Sequence, residues 1–257
     1  MGDRVGLLQD RTVLITGSSS GIGASAARLF AGEGAAVVLM ARREDRLADL
    51  AESIRAEGGR AAVAAGDVTV AADVARAVTT AVETFGRLDA AFNNAGWGSI
   101  GTQLHETDDG VFDQIMDVNV RGTWNCLKQQ IPAMLADGGG GAIVNTSSTA
   151  GGFATGAVSP YVAAKHAVLG LTRAAAAEYG QRGIRINALM VGSTRTELME
   201  NAIREVPQLE QAAVARAIQP RLADPVEIAR AAAWLLSDQA SFVTGGAVPV
   251  DGGCSAV

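Results

Sequence analysis

The chain is short of the residues that build the commonest special sites. It has two histidines, His105 and His166, far apart in sequence, which is too few and too scattered for a metal cage, so no metal is expected. It has two cysteines, Cys126 and Cys254, in no C-x-x-C pattern, and they are expected to be free thiols in a reducing compartment. Basic charge is also scarce. The net charge is −6 and the only basic doublet of note is Arg42-Arg43, so no nucleic-acid partner is expected. Apolar runs are no longer than a strand, so no membrane partner is expected. The N-terminus lacks a basic-then-apolar leader, and with the thiols this gives an expectation of a cytoplasmic protein. Low-complexity tracts are nearly absent, which excludes a disordered chain.

What is present is core material. Of 257 residues, 48% are hydrophobic and 19% charged, enough to bury one sizeable α/β domain. Short apolar runs at 12–16, 36–40, 61–65, 88–92, 142–145, 185–190 and 247–250 read as buried strands. Amphipathic stretches between them, at 22–32, 44–57, 71–85, 109–135, 160–179 and 226–236, read as helices. Such alternation predicts a single-domain, doubly wound parallel sheet of about seven strands with helices on both faces, of the Rossmann type. Ligands then bind at the strand carboxyl ends. The glycine run 138–141 reads as a helix-to-strand turn. The stretch 193–219 carries no strand and reads as a helical insertion at such an end, a natural substrate lid.

The first strand runs into Thr16-Gly17-Ser18-Ser19-Ser20-Gly21-Ile22-Gly23, which opens the first helix. Glycines allow a tight turn and a close approach of backbone N–H groups to a pyrophosphate. The helix N-terminus adds partial positive charge. Gly17, Ser19, Ser20, Gly21, Ile22 and Gly23 are therefore candidate phosphate ligands, with a plain glycine turn as the alternative.

The spacing is G-x-x-x-G-x-G rather than the common G-x-G-x-x-G. With Asn93-Asn94-Ala95-Gly96, Asn119, Ser148, Tyr161-x-x-x-Lys165 and Val250-Asp251-Gly252-Gly253, the chain resembles the short-chain dehydrogenase/reductase family from about residue 10 to 253. The resemblance implies a hydride transfer between a nicotinamide coenzyme and a small-molecule ketone or secondary alcohol. It implies coenzyme contacts from Asn94, Ala95, Gly96, Tyr161 and Lys165, a bracing role for Asn93, and an adenine contact from Asp67-Val68. Asp67 could instead cap a helix. The backbone of Thr194 and the hydroxyl of Thr196 are implied to hold the nicotinamide end. The family's usual proline before Gly192 is Val191 here, which frees a backbone torsion beside the lid.

At the end of the second strand, an NAD-binding site usually carries an acid. This chain has Ala41 there, followed by Arg42 and Arg43, which can fork onto a 2′-phosphate. The resemblance implies Arg42 most directly. The expectation is NADP(H) as the favoured coenzyme with NAD(H) possible, since Ser20 stands where many NADP-preferring relatives carry a second basic residue. An exposed basic helix start is the other reading of the doublet.

Ser159-Pro160 begins a helix, an N-cap followed by a first-turn proline. Tyr161 and Lys165, four apart, share a face. An ammonium beside a phenol is expected to lower its pKa from about 10, fitting it for proton exchange with a carbonyl or alcohol oxygen. The resemblance gives Ser148 the task of polarising the substrate oxygen. It gives Asn119 that of ordering a water beside Lys165. Ser147, next along the strand, should face the other way.

Residues expected near substrate are Trp97, Gly98, Thr149, Ala150, Phe153, Thr155, Val158, Gly192 and the segment 198–203, and the aromatic pair favours an apolar ketone. The helices 109–135 and 160–179 resemble those that pair in family tetramers, which implies a homotetramer. Two alternatives stay open: an acyl-thioester ketoreductase, with Arg195 and Arg204 as carrier contacts, and a non-catalytic dinucleotide-sensing module.

Overall fold

Strands β1 (Thr12–Thr16) and β2 (Ala36–Met40) are buried at every position. Their side chains nonetheless alternate between two cores. Val13, Ile15, Val37 and Leu39 join one apolar cluster, and Leu14, Val38 and Met40 join another. A strand points successive side chains to opposite faces, so a strand apolar throughout must be covered on both. The computed structural model describes residues 6–99, 102–136, 139–154 and 157–256, and it supplies that cover.

The remaining strands are β3 (Arg60–Val63), β4 (Ala90–Asn93), β5 (Gly141–Ser148), β6 (Ile184–Val191) and β7 (Ala247–Val250). All seven run parallel in the order β3-β2-β1-β4-β5-β6-β7. Helices α1 (Gly21–Gly32) and α2 (Glu44–Ala56) cover one face together with a later helix, Pro225–Leu236. The other face carries α3 (Ala71–Phe85), α4 (Asp109–Met116), α5 (Gly122–Ala136) and α6 (Ser159–Tyr179). Between β6 and that last helix come α7 (Glu197–Glu205) and α8 (Gln208–Val214), which makes Pro225–Leu236 α9. The expected fold class is therefore the observed one. Strand order reverses between β1 and β4, where a crevice opens at the carboxyl ends.

Three differences from the sequence reading are informative. The stretch 109–135 is not one helix. A π-helical turn, Asp117–Arg121, separates α4 from α5 and places buried Asn119 within it. A π turn shifts the backbone register by one residue, which turns a side chain to a face it would otherwise miss. Strand β5 runs on to Ser148, paired with Val191, so the valine that replaces proline extends β6 by a ladder position. In the run 138–141, Gly138 lies outside the described residues. Gly140 takes φ +71°, where a Cβ would meet the Gly183 carbonyl oxygen, and Gly141 already begins β5.

The segment 193–219 carries α7 and α8, and its start is tied to the chain just beyond it. Arg195 N donates to Ala223 O at 2.9 Å, and Ala223 N donates to Ser193 O at 3.0 Å. A buried polar chain fixes α6 against the sheet. Asn93 Nδ2 donates to Asn145 Oδ1 (2.9 Å) and Gln130 Oε1 (3.0 Å), and Gln130 Nε2 donates back to Asn93 Oδ1 (2.7 Å). Asn145 Nδ2 donates to Thr172 Oγ1 (3.0 Å), which donates to Val168 O (2.8 Å). Satisfied networks of this kind set position as well as energy, because a slip would leave several buried groups unpaired.

Candidate active site

Several elements converge at the carboxyl end of the sheet. The loop after β1 turns at Gly17 (φ +68°) and Gly21 (φ +54°), both in the left-handed region. A Cβ on Gly17 would lie 2.9 Å from Ala95 Cα, and one on Gly23 2.3 Å from the Gly17 carbonyl oxygen. The loop after β4 braces it. Asn94 N and Ala95 N both donate to Thr16 Oγ1 at 3.1 Å, and Asn94 Nδ2 donates to Thr16 O at 3.3 Å. Asn94 thus ties the glycine loop. Helix α1 starts at Gly21 with no side-chain cap from Ser20 and no acid in its first turn. Its first amide groups have no intrahelical acceptor, so this end suits a pyrophosphate.

The chemistry-bearing side chains sit across the crevice. Ser148 ends β5, where its hydroxyl accepts from Ala150 N at 3.2 Å, and it neighbours the phenol of half-buried Tyr161. Lys165 is 3% exposed; its Nζ lies 5.4 Å from the Tyr161 ring centroid and donates to Thr146 O at 3.0 Å. Ser147 points away, as alternation requires, and donates to Lys165 O at 2.9 Å. Asn119 Nδ2 donates to Trp97 O (2.7 Å) and Ile115 O (2.8 Å), leaving its buried Oδ1 without a partner. A Cβ on Gly96 would lie 3.1 Å from that Oδ1 and 3.4 Å from Lys165 Nζ, so both atoms face the space kept by Gly96.

Two protonation states differ from their ordinary values. Burial pushes the Tyr161 phenol up, only partly offset by the neighbouring Ser148 hydroxyl. Desolvation lowers Lys165 from 10.5 to about 8. The expected fall in the tyrosine pKa is therefore corrected. In the protein alone, desolvation of both groups outweighs the ammonium's pull on the phenolate.

The basic doublet divides. Arg42 is 71% exposed and turned to Asp67, 3.8 Å away. Arg43 lies on the glycine loop, with Nη2 3.0 Å from Ser19 Oγ and 2.8 Å from Ser20 Oγ. Asp67 forms a local turn, accepting from Thr69 N and Thr69 Oγ1 at 2.9 Å, and does not cap α3, whose N-cap is Val70. Val68 is 6% exposed; its carbonyl accepts from Asn125 Nδ2. Thr194 is buried, with its hydroxyl on Gly192 O. Thr196 caps α7 through Met199 N, and its Cγ2 would lie 3.1 Å from a Cβ on Gly21.

Of the residues expected near substrate, Gly98 backs directly onto Tyr161, where a Cβ would lie 3.1 Å from the ring. Trp97 packs with Ile115, Val158 and Ala164. Ala150 and Val158 are buried, Phe153 is exposed, and Thr155 lies outside the described residues. Sequence reasoning did not anticipate Arg46 and Glu197, which join Arg43 in an ion-pair cluster, nor the carbonyl of Thr146 as the acceptor for Lys165. Only the charge signs within the first turns of α2 and α7 hinted at the former.

A glycine loop at the switch point of a parallel sheet, facing a serine, a tyrosine and a buried lysine, defines a dinucleotide-dependent oxidoreductase scaffold. The model of the family described as Enoyl-(Acyl carrier protein) reductase matches residues 17–255. The A-factor type gamma-butyrolactone 1'-reductase (1S-forming) of Streptomyces virginiae is 58% identical over 253 residues, covering 98% of each chain. The cyclohexanol dehydrogenase of an Acinetobacter species is 42% identical over 246 residues, covering 95% of this chain and 94% of that protein. The crystal structure of levodione reductase superposes with a TM-score of 0.90 at 37% identity, covering 97% of this chain and 99% of the other. The chain belongs to the short-chain dehydrogenase/reductase family, and it is an oxidoreductase of the alcohol–carbonyl class with a nicotinamide nucleotide as its coenzyme.

Proposed function

We propose that this enzyme reduces an apolar, ring-bearing ketone, or oxidises the matching secondary alcohol, with NADP(H) as the favoured coenzyme, NAD(H) as the second, and Tyr161 as the proton donor and acceptor. The observation that carries the reading is the Tyr161 phenol with the buried Lys165 ammonium 5.4 Å from its ring centroid and Ser148 as its neighbour, together with an uncapped helix N-terminus after the glycine loop. When bound, the nicotinamide gives or takes the hydride at the substrate carbon. Ser148 donates to the carbonyl oxygen and polarises it. Tyr161, kept protonated by burial, hands that oxygen its proton. Lys165 supplies positive charge as phenolate character develops. Asn119 turns its free Oδ1 to the same space as Lys165 Nζ and orders a water there for proton return.

The family resemblance and the same geometry support the following residues for the coenzyme. Gly17, Ser19, Ser20, Gly21, Ile22 and Gly23 hold the pyrophosphate. Ala95 and Gly96 line its path, and Asn94 secures the loop beneath it. Asp67 and Val68 border the adenine, and Thr194 and Thr196 the nicotinamide. Ala41 offers no carboxylate to repel a 2′-phosphate, and Arg43, on the serines, is the guanidinium better placed to meet one than Arg42.

Trp97 and Phe153 favour an apolar substrate, and the ring compounds in the names of cyclohexanol dehydrogenase and levodione reductase point the same way for those proteins. The helices α7 and α8 act as the substrate lid. The exposed aromatics Phe112 and Trp124 on α4 and α5 support a homotetramer, and the two free cysteines a cytoplasmic setting. Loss of nicotinamide absorbance with NADPH and with NADH, against aromatic, cyclic and thioester ketones, tests the proposal. Turnover of cyclic or aromatic ketones with NADPH is expected. Turnover of thioesters alone would replace the substrate class, and turnover of none would defeat the reductase.

A further inference from the structure

We propose that Glu197 tunes the coenzyme preference, because its carboxylate occupies the guanidinium seat that a 2′-phosphate would take. The inference rests on the nicotinamide-coenzyme reading above. Glu197 opens α7, directly after Thr196, whose hydroxyl caps that helix and whose methyl rests beside Gly21 of the glycine loop. That placement carries the carboxylate to the start of α2. Arg43 Nη1 lies 3.1 Å from Glu197 Oε2, and Arg46 Nη1 2.8 Å from the same oxygen. The rest of the Arg43 fork reaches the other way. Its Nε is 3.2 Å and its Nη2 3.0 Å from Ser19 Oγ, and Nη2 is 2.8 Å from Ser20 Oγ. Two guanidinium groups thus hold one internal anion, while two hydroxyls take the rest of the Arg43 fork. The hydrogen bonds from Arg46 and Arg43 hold the Glu197 carboxyl below the usual carboxylate range, so it stays charged.

The seat adjoins the end of β2, where a Rossmann-type site meets the adenosine ribose. A phosphate monoester carries more negative charge than a carboxylate and can likewise pair bidentately with a guanidinium fork. To reach Arg43, it must either displace Glu197 or lie beside it as a like charge. Both weaken the gain from the arginine. Arg42 lies away from this seat, pointing toward Asp67 at 3.8 Å. A coenzyme without the 2′-phosphate leaves the Glu197 cluster intact. Glu197 therefore penalises the phosphorylated coenzyme alone and narrows the preference that Ala41 and Arg43 would otherwise set.

The test compares adenosine 2′,5′-bisphosphate with 5′-AMP by calorimetric titration of the full chain. These fragments read phosphate recognition without any hydride transfer. Glu197→Gln is expected to tighten the bisphosphate about fivefold and to change 5′-AMP less than about twofold, the scale of a half-exposed ion pair. In an Arg43→Ala background, Glu197→Gln should no longer favour the bisphosphate. Equal effects on both nucleotides, no effect on either, or a gain that survives Arg43→Ala would overturn the proposal. Wild-type protein that binds both nucleotides separates those outcomes from failure of the coenzyme reading. Wild-type protein that binds neither would overturn both.

Discussion

Replacing Lys165 with methionine should stabilise the fold while removing activity. Lys165 is 3% exposed and desolvation lowers its pKa from 10.5 to about 8. At ~1.4 kcal/mol per pH unit, keeping it charged near pH 7 costs the folded state about 3 kcal/mol. The sign follows from proton counts. Between about pH 8 and 10.5 the unfolded chain holds a proton that the folded chain has lost, so stability rises with pH there. Below about 8 the penalty is fully present. Methionine keeps the length of the side chain and removes the charge, but it gives up the 3.0 Å bond to Thr146 O, which costs about 1 kcal/mol. The net gain is about 2 kcal/mol, or roughly 4–8 °C in Tm for a chain of this size. Thermal unfolding of both proteins from pH 6 to 10 measures it. The variant should melt higher at pH 7, and the gap should close toward pH 10. Turnover should fall by about 10²-fold or more, the scale of lost acid–base assistance. A variant that melts no higher at pH 7, or a gap independent of pH, would refute the account of Lys165 as a charge held in place against its solvation.

Tyr161→Phe should lower turnover by about 10²- to 10⁴-fold while coenzyme still binds, checked by steady-state rates beside coenzyme fluorescence titration. Reductive kcat/KM should fall as pH rises through about 8, because Lys165 loses its proton there while burial keeps the Tyr161 phenol protonated; an unchanged profile to pH 10 would detach Lys165 from the reaction. Gly17→Ala should weaken coenzyme binding and cost about 1–2 kcal/mol of stability, since φ is +68° and the new Cβ would meet Ala95 Cα at 2.9 Å; denaturant unfolding and a coenzyme titration check both.

Much of this protein is legible in the order of its residues. Strands β1, β2 and β7 and helix α3 end where the apolar pattern ends, because periodicity is a local property of the chain. The glycine loop and the Tyr161–Lys165 pair are also local: fixed spacings on one turn or one helix face. Their role as a single site follows from the parallel topology, which the alternation of strand and helix already implies. The remainder depends on neighbours distant in sequence. Whether Arg42 or Arg43 meets the glycine loop turns on the exit angle of β2 and on Asp67 and Glu197, 25 and 154 residues away from their partners. The π turn at Asn119 follows from two acceptors, Trp97 O and Ile115 O, and local propensity registers only an awkward asparagine. The protonation of Tyr161 and Lys165 was set by desolvation, a sum over everything packed around them, and so the expected direction for the tyrosine failed. Sequence alone determined which groups are present and which share an element. Tertiary structure alone decided which of them lose water and which charge each arginine meets, because solvation and Coulomb energy depend on distance in space.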